Sequence, residues 1–143
     1  MTDCIFCSII RGDIPSKKLY ENEYVFAFMD IQPVNPGHLL VIPKKHAAII
    51  TELDDKLIAE LFKTARNLNS ALRKSGIRCE SVNFHLADGK SAGQEVPHVH
   101  VHVIPRFSGD GFGLKFPPDY KTPKDHLKIE ETAVFIRKAL GET

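Results

Sequence analysis

Histidine and apolar residues alternate from His98 to Ile104, in the run HVHVHVI, and this run limits the possible folds strongly. Successive side chains of a β-strand point to opposite faces, so the pattern predicts a strand over residues 98–105. The imidazoles of His98, His100 and His102 then share one face, and three valines face the core. Packing alone does not explain three imidazoles at this spacing, because each needs partners for its ring nitrogens. The run therefore indicates a functional site.

Two functions suit three histidines on one strand face. A shared zinc ion requires all three ring nitrogens about 2.0–2.1 Å from the metal, yet the outer two residues are about 13 Å apart at the backbone. Alternatively, His100 is a nucleophile: a neutral imidazole with one nitrogen fixed by a hydrogen bond and the other free to attack phosphorus. His98 and His102 then tune it or bind the leaving oxygen. We favour the nucleophile, because the geometry for a shared ion is poor.

The loop before this strand suits an anion. Residues 91–97, SAGQEVP, place Gly93 beside Gln94, so backbone amides can approach a phosphate closely. Such a loop is weak evidence by itself. Next to the histidines it predicts a phosphate-binding site.

The rest of the chain predicts an α+β fold in a single domain over residues 1–143. We expect one long helix over 54–75, with leucines on one stripe, and short helices near the two ends, over 4–11 and 123–140. The predicted strands cover residues 19–21, 24–29, 38–43, 81–87 and 98–105. Short connections between the early strands favour an antiparallel sheet of about five strands.

Composition excludes several classes of protein. The chain has 19 basic and 18 acidic residues and a net charge of +1, so no polycationic surface for a nucleic acid is expected. No apolar run is long enough to span a bilayer and no secretory leader is recognisable, so we expect a cytoplasmic protein without a membrane partner. Three cysteines in such a chain favour reduced thiols over disulfides.

Four segments carry a resemblance to a known family: IFCSI, AFMDI, GHLLVIPKKH and AGQEVPHVHVHVIPR. With them the sequence resembles the histidine triad (HIT) family. The resemblance implies a HIT-like α+β domain with an antiparallel sheet, a core over residues 4–106 and an extension over 107–143, paired as a homodimer. It also implies a purine nucleotide or nucleotide conjugate as ligand, and cleavage or transfer of nucleoside monophosphates through a nucleotidyl-histidine intermediate without a catalytic metal.

The resemblance also assigns roles to individual residues. The catalytic positions, with the nucleophile first, are His100, His98, His102 and His38. Asp30 resembles the carboxylate that binds the ribose hydroxyls. The positions around the phosphate are Gln94, Glu95 and Val96, and those of the base pocket are Phe6, Ile9, Phe28 and Ile31. Without the resemblance, the four apolar residues would be assigned to the hydrophobic core.

Two positions depart from the family's pattern. Ala87 stands where related enzymes have asparagine or glutamine near the phosphate, and Glu95 stands where Hint-like proteins have a serine that can protonate a leaving nitrogen. Our first expectation is a nucleoside-phosphate hydrolase or nucleotidyl transferase, acting on phosphoramidate, dinucleoside polyphosphate or acyl-adenylate conjugates. The departures leave an alternative open, a nucleotide-binding regulatory or scaffold protein with little turnover.

Cys4 and Cys7 form a C-x-x-C pair, which is half of a zinc site. A redox pair normally lies where a strand meets a helix in a βαβ unit, and no such unit is predicted here. The other interpretation is two small buried hydrophobic residues. His46 and His98 resemble the partners in zinc-bearing bacterial-type members of the family. The resemblance therefore predicts a structural, non-catalytic zinc with a closed tetrahedral ligand set of Cys4, Cys7, His46 and His98.

Overall fold

A computed structural model of the chain describes residues 4–141, so the ends of the predicted single domain, 1–3 and 142–143, lie outside the described residues. The chain divides into two compact units between Gly111 and Phe112. The first unit contains the sheet, helix α1 (Ile5–Arg11) and helix α2 (Asp55–Lys74), together with two single 3-10 turns, Ile50–Glu52 and Lys90–Ala92. The second unit contains helix α3 (His126–Gly141). No helix within residues 4–141 is long and apolar enough to cross a membrane.

Five strands among the described residues form one antiparallel sheet, which confirms the predicted α+β class. Their bounds are β1 Lys18–Glu21, β2 Val25–Met29, β3 Leu39–Pro43, β4 Ser81–His85 and β5 Val101–Arg106. The order across the sheet is β1-β2-β3-β5-β4, so β5 lies between β3 and the edge strand β4. Asn22 shapes the first hairpin, because its side-chain oxygen accepts hydrogen bonds from the amides of Tyr24 and Val25.

Helix α2 covers one face of the sheet. The carboxylate of Asp54 accepts a hydrogen bond from the amide of Leu57 at 2.9 Å and caps the helix N-terminus. The predicted apolar stripe is confirmed, and it packs against inward-facing residues of the central strands. The buried cluster includes Leu57, Leu61, Ala65, Leu72, Val25, Val41, Val101 and Val103. Burial of this stripe against β-branched residues holds the three central strands in place.

A second, smaller core lies on the opposite face. Here α1 packs Phe6 and Ile9 against side chains of β2 and β3. The strand residues of this cluster are Phe26, Phe28, Leu40 and Ile42. Gly12 ends the helix in the left-handed conformation, with φ at 86°, and its amide donates to the carbonyl of Ile9. The first residues of the chain that the structure describes are thereby fixed on the histidine-bearing face.

The predicted strand over residues 98–105 is wrong at its start, because β5 begins at Val101. The amide of His98 donates to the carbonyl of Val96, and the amide of Val99 donates to the carbonyl of Ala47. These bonds keep both residues out of the ladder with β3. The alternation of faces persists nonetheless, because Val99 lies in the main core and the three histidines face the other way.

Candidate active site and metal-ligand cluster

His100 is held as a neutral ring with one free nitrogen. Its Nδ1 lies 2.7 Å from the backbone carbonyl oxygen of His98, and a carbonyl only accepts, so Nδ1 carries the proton. Nε2 is therefore left with a lone pair. Burial lowers the pKa of His100, against the opposing effects of that hydrogen bond and of Asp30. The ring is thus a neutral base or nucleophile at pH 7.

His38 and His102 form a second pair of oriented rings. The amide of Val34 donates to Nδ1 of His38 at 3.0 Å, so the proton of His38 is on Nε2. That Nε2 lies 2.8 Å from Nδ1 of His102 and donates to it. The outer Nε2 of His102 consequently carries a proton and can donate to a ligand. Burial, followed by His100 and His38, lowers the pKa of His102 to about 4.

A close approach of the backbone positions His38. A Cβ on Gly37 would lie 3.0 Å from Cγ of Pro105 and 3.1 Å from Cδ2 of Leu72, and Gly37 has φ at 99°. Only glycine fits there without strain. The amide of His38 donates to the carbonyl of Asn35 at 3.0 Å. The buried Asn35 side chain in turn donates to the carbonyl of Pro105 at 2.9 Å, which ties the histidine to the end of β5.

Asp30 lies beside the His38–His102 pair. One of its carboxylate oxygens is 3.4 Å from Nε2 of His38 and 3.9 Å from Nδ1 of His102, and the other accepts from the amide of Gln32. The three side chains could in principle bind a cation. However, the 2.8 Å contact between the two imidazoles is a hydrogen bond and is shorter than the nitrogen–nitrogen edge of about 3.3 Å around zinc. The carboxylate here orients the pair.

The predicted phosphate loop is held by the side chain of Gln94. Its amide nitrogen donates to the carbonyls of Ala48 at 2.8 Å and Val96 at 3.0 Å, and its oxygen accepts from the amide of Gly89 at 2.7 Å. Gln94 therefore shapes the loop with its own polar atoms. The amides of Glu95 and Val96 have no acceptor among residues 4–141. Two adjacent amides without an acceptor are the kind of donor pair that can bind an anion.

The apolar residues proposed for a base pocket fall in two environments. Phe6, Ile9 and Phe28 are buried in the second core. The ring of Phe6 also meets that of His100 edge-on, with 5.1 Å between centroids. Ile31 is 90% exposed and packs in neither core, so the core alternative does not apply to it.

The four predicted zinc ligands come together. Sγ of Cys4 and of Cys7 lie 3.4 and 3.7 Å from Nδ1 of His98, and Sγ of Cys7 lies 3.4 Å from Nδ1 of His46. The two Nδ1 atoms are 3.2 Å apart. A tetrahedral zinc has sulfur–nitrogen edges of about 3.5 Å and nitrogen–nitrogen edges of about 3.3 Å. The donor set therefore fits a tetrahedral metal ion.

His98 is prepared to be a ligand by its second nitrogen. Its Nε2 donates to the carbonyl of Pro43 at 2.8 Å, which leaves Nδ1 unprotonated towards the two thiols. The residue is fully buried, so this orientation has little freedom. The cluster joins α1 to the segment that precedes β5. Cys79 is not part of it.

One residue at the site was not predicted. His85 closes strand β4 and pairs directly with His102 across the ladder, with 5.6 Å between the ring centroids. No local motif marks it in the sequence, because its position depends on the register of β4 against β5. A helical or strand pattern alone does not give that register.

The fold and the site together define an antiparallel α+β domain with a buried, neutral histidine on the segment that follows a loop with two unpaired amides. The sequence model of the HIT domain matches residues 11–109. The chain belongs to the HIT family. A HIT family protein from Bacillus subtilis has a crystal structure that superposes with a TM-score of 0.86 at 39% identity, covering 96% of each chain.

Two further relatives bear on chemistry and on metal binding. A protein of Schizosaccharomyces pombe named adenosine 5'-monophosphoramidase is 39% identical over 129 residues, which are 90% of this chain and 93% of its own. A Zn-bound histidine triad family protein from Mycobacterium smegmatis has a crystal structure with a TM-score of 0.74 at 38% identity, covering 82% of this chain and 84% of its own.

Proposed function

We propose that the protein is a nucleotide hydrolase or nucleotidyl transferase that cleaves nucleoside monophosphate conjugates through a nucleotidyl-histidine at His100. The observation that carries the proposal is the hydrogen bond from Nδ1 of His100 to the carbonyl of His98, which leaves Nε2 as a lone-pair donor. A nucleophile in this state needs no deprotonation before it attacks. The phosphoramidase activity in the name of the Schizosaccharomyces pombe relative supports the same class.

The reaction proceeds in two displacements. Nε2 of His100 bonds to the α-phosphorus while the bond from phosphorus to the leaving group breaks, and the amides of Glu95 and Val96 hold the phosphoryl oxygens. The N–H on Nε2 of His102 donates a hydrogen bond to the departing oxygen or nitrogen, which takes its proton from solvent. Water then attacks the phosphorus as the bond from phosphorus to Nε2 of His100 breaks. The nucleoside monophosphate is released, the water's second proton goes to solvent, and His100 is again a neutral ring. An alcohol or amine in place of water gives transfer instead of hydrolysis.

The nucleoside binds beside this centre. We assign the ribose hydroxyls to the carboxylate of Asp30, because a carboxylate accepts two hydroxyl donors well. A purine base is assigned to the apolar residues Phe6, Ile9, Phe28 and Ile31, of which Ile31 offers the most open surface. The phosphoramidate, dinucleoside polyphosphate and acyl-adenylate classes all contain the phosphoryl group that His100 attacks and the loop amides bind.

We assign zinc to Cys4, Cys7, His46 and His98, as a structural ion. When bound it links α1 to the segment that precedes β5, and its four protein ligands leave no position for substrate. The ligand residues contribute to catalysis only through the backbone of His98. The cluster fixes this backbone, and its carbonyl orients His100. The name of the Mycobacterium smegmatis relative, which is Zn-bound, supports this assignment.

Mass spectrometry of the intact protein tests the activity. Mixed with adenosine 5'-phosphoramidate and quenched without acid, the wild-type chain gains the mass of one adenylyl group, which is AMP minus one water, and His100→Asn does not. Tight nucleotide binding without an adduct or turnover would instead favour the regulatory or scaffold alternative, in which Ala87 and Glu95 replace polar groups of related enzymes. We further propose that the protein is cytoplasmic and that it forms a homodimer. Light scattering after gel filtration tests the dimer.

A further inference from the structure

A row of imidazoles crosses three adjacent strands on the site's face of the sheet. His38 immediately precedes β3, His102 lies on β5 and His85 ends β4. The ring centroids are 5.1 Å apart from His38 to His102 and 5.6 Å apart from His102 to His85. His100 joins the row from the segment before β5, 5.0 Å from His102. The fourth ring of this set, His85, has no place in the mechanism above.

The orientation of His85 follows from the ladder. Residues directly opposite on neighbouring strands point to the same face, and His85 pairs with His102. Leu86, the next residue, packs against the main core on the other face. Beyond it lies Ala87, which is buried and offers only a methyl group. His85 is therefore the polar side chain that the end of β4 contributes to this edge of the site.

The ring of His85 is accessible and uncommitted. It is exposed, and no group among residues 4–141 forms a hydrogen bond with it. By contrast, His38, His98, His100 and His102 each use at least one ring nitrogen within the protein. Its proximity also contributes to the low pKa of His102, after burial, His100 and His38. The ring of His85 is exposed, has both nitrogens available and lies directly beside His102, which is the neighbour of His100. A ring in this position can reach a group bound at His100.

We propose that His85 is a fifth histidine of the site, which donates a hydrogen bond to a phosphoryl oxygen, or to the leaving atom attached to it, of a nucleotide bound at His100. The inference rests on the proposed function for the identity of the ligand. A phosphoryl group presents oxygens in several directions, and hydrogen bonds of about 2.7–3.2 Å let one group meet donors on both sides. The loop amides approach from one side, and His85 approaches from the edge strand.

Substitutions at His85 test this contact. His85→Ala lowers kcat/KM for adenosine 5'-phosphoramidate by about 10- to 100-fold, mainly in kcat, because a hydrogen bond to a charged group is lost. His85→Gln keeps an N–H donor and recovers activity to within about threefold of wild type. His126→Ala, an exposed histidine in the other unit, is the matched control and leaves kcat/KM unchanged. Because His85 is exposed, none of these variants loses the fold.

A binding measurement separates this inference from the proposed function. Titration with AMP, followed by imidazole proton–nitrogen NMR, shifts the ring resonances of His85 and leaves those of His126 in place. If the wild type forms the His100 adduct but His85→Ala keeps full kcat/KM, the contact is refuted and the function stands. An AMP titration that leaves the His85 ring unshifted refutes the contact with a phosphoryl oxygen. If no adduct forms but AMP shifts the His85 ring, the function is refuted and the contact stands. A protein that neither reacts nor binds AMP refutes both.

Discussion

The backbone carbonyl of His98 accepts a hydrogen bond from Nδ1 of His100 at 2.7 Å, while the side chain of the same His98 lies among the two thiols of the metal-ligand cluster. One residue thus belongs to both centres, through its main chain at one and its ring at the other. Its Nε2 is bound to the carbonyl of Pro43, so the ring has a single orientation. Any change that moves this ring displaces the carbonyl that fixes the tautomer of His100.

The first prediction concerns the nucleophile. His100→Asn lowers kcat/KM on adenosine 5'-phosphoramidate by about 10⁴-fold or more, because the covalent step is removed while the amide nest remains. Steady-state kinetics and adduct mass measure the loss. The variant keeps its circular dichroism spectrum and binds AMP within about tenfold of wild type. Full turnover by this folded variant contradicts the proposed mechanism.

The second prediction concerns the metal cluster. The purified chain contains about one zinc per polypeptide, and Cys7→Ser both loses it and lowers Tm by about 10 °C or more, because binding free energy contributes to folding. Elemental analysis and calorimetry measure the two effects. Cys79→Ser is the matched control, since Cys79 lies outside the cluster, and it keeps both zinc and Tm.

The same variant also distinguishes a structural from a catalytic ion. At a temperature where Cys7→Ser is still folded, the rate of adduct formation falls by less than about tenfold, because no zinc ligand touches the phosphorus. A loss as large as that of His100→Asn, in folded protein, contradicts the structural assignment.

The third prediction is a loss of stability in acid. The pKa of His102 is about 4 in the folded chain and about 6.5 when unfolded, so below pH 6.5 the unfolded chain binds a proton that the folded chain does not. The contribution of the neutral His102 ring to the free energy of unfolding is complete above about pH 6.5 and is lost as the pH falls towards 4. The lowered pKa values of His38 and His100, caused first by burial, act in the same direction.

Urea unfolding at pH 7 and pH 5 measures this effect. His102→Gln reduces the difference in free energy of unfolding between the two pH values by about 1–2 kcal/mol. The metal-ligand cluster is the same in both proteins, so its contribution cancels in the comparison. An unchanged pH difference in His102→Gln shows that the ring is already solvated and protonated at pH 5 in the folded chain.

The sequence predicted the common face of the three histidines because side-chain direction alternates even where the ladder has not begun. It did not predict that β5 starts at Val101, since the bonds of His98 and Val99 go to Val96 and Ala47, and such loop contacts leave no periodic signal. The zinc partners of the C-x-x-C pair came from the resemblance. His85 was missed because strand register joins residues far apart in sequence.

The fourth prediction concerns the loop. Gln94→Ala removes the three hydrogen bonds of this side chain. Their loss releases the loop of residues 89–96 from Ala48. We expect KM to rise and kcat/KM to fall by about 10- to 100-fold, since the amides of Glu95 and Val96 lose their fixed spacing. Kinetics with adenosine 5'-phosphoramidate measure the change. Asn67→Ala, at an exposed position of α2, is the control with normal kinetics.

The fifth prediction tests the packing that positions His38. Gly37→Ala lowers the free energy of unfolding by about 2–4 kcal/mol, because the new Cβ lies 3.0 Å from Cγ of Pro105 and 3.1 Å from Cδ2 of Leu72, in a left-handed conformation. Gly76→Ala is the matched control: its φ of 86° carries the same backbone strain, but its Cβ meets nothing within 4 Å. It costs about 1–2 kcal/mol.

Chemical denaturation of the two variants therefore isolates the crowding at Gly37. Activity supplies the second measurement, because His38 follows Gly37 directly and donates to His102. At a low temperature where it is still folded, Gly37→Ala has a lower kcat, because the shifted His38 no longer fixes the proton on the outer nitrogen of His102. Gly76→Ala keeps full kcat. If Gly37→Ala and Gly76→Ala are destabilised equally and kcat is unchanged in both, the close approach between Gly37 and Pro105 does not orient the histidine pair.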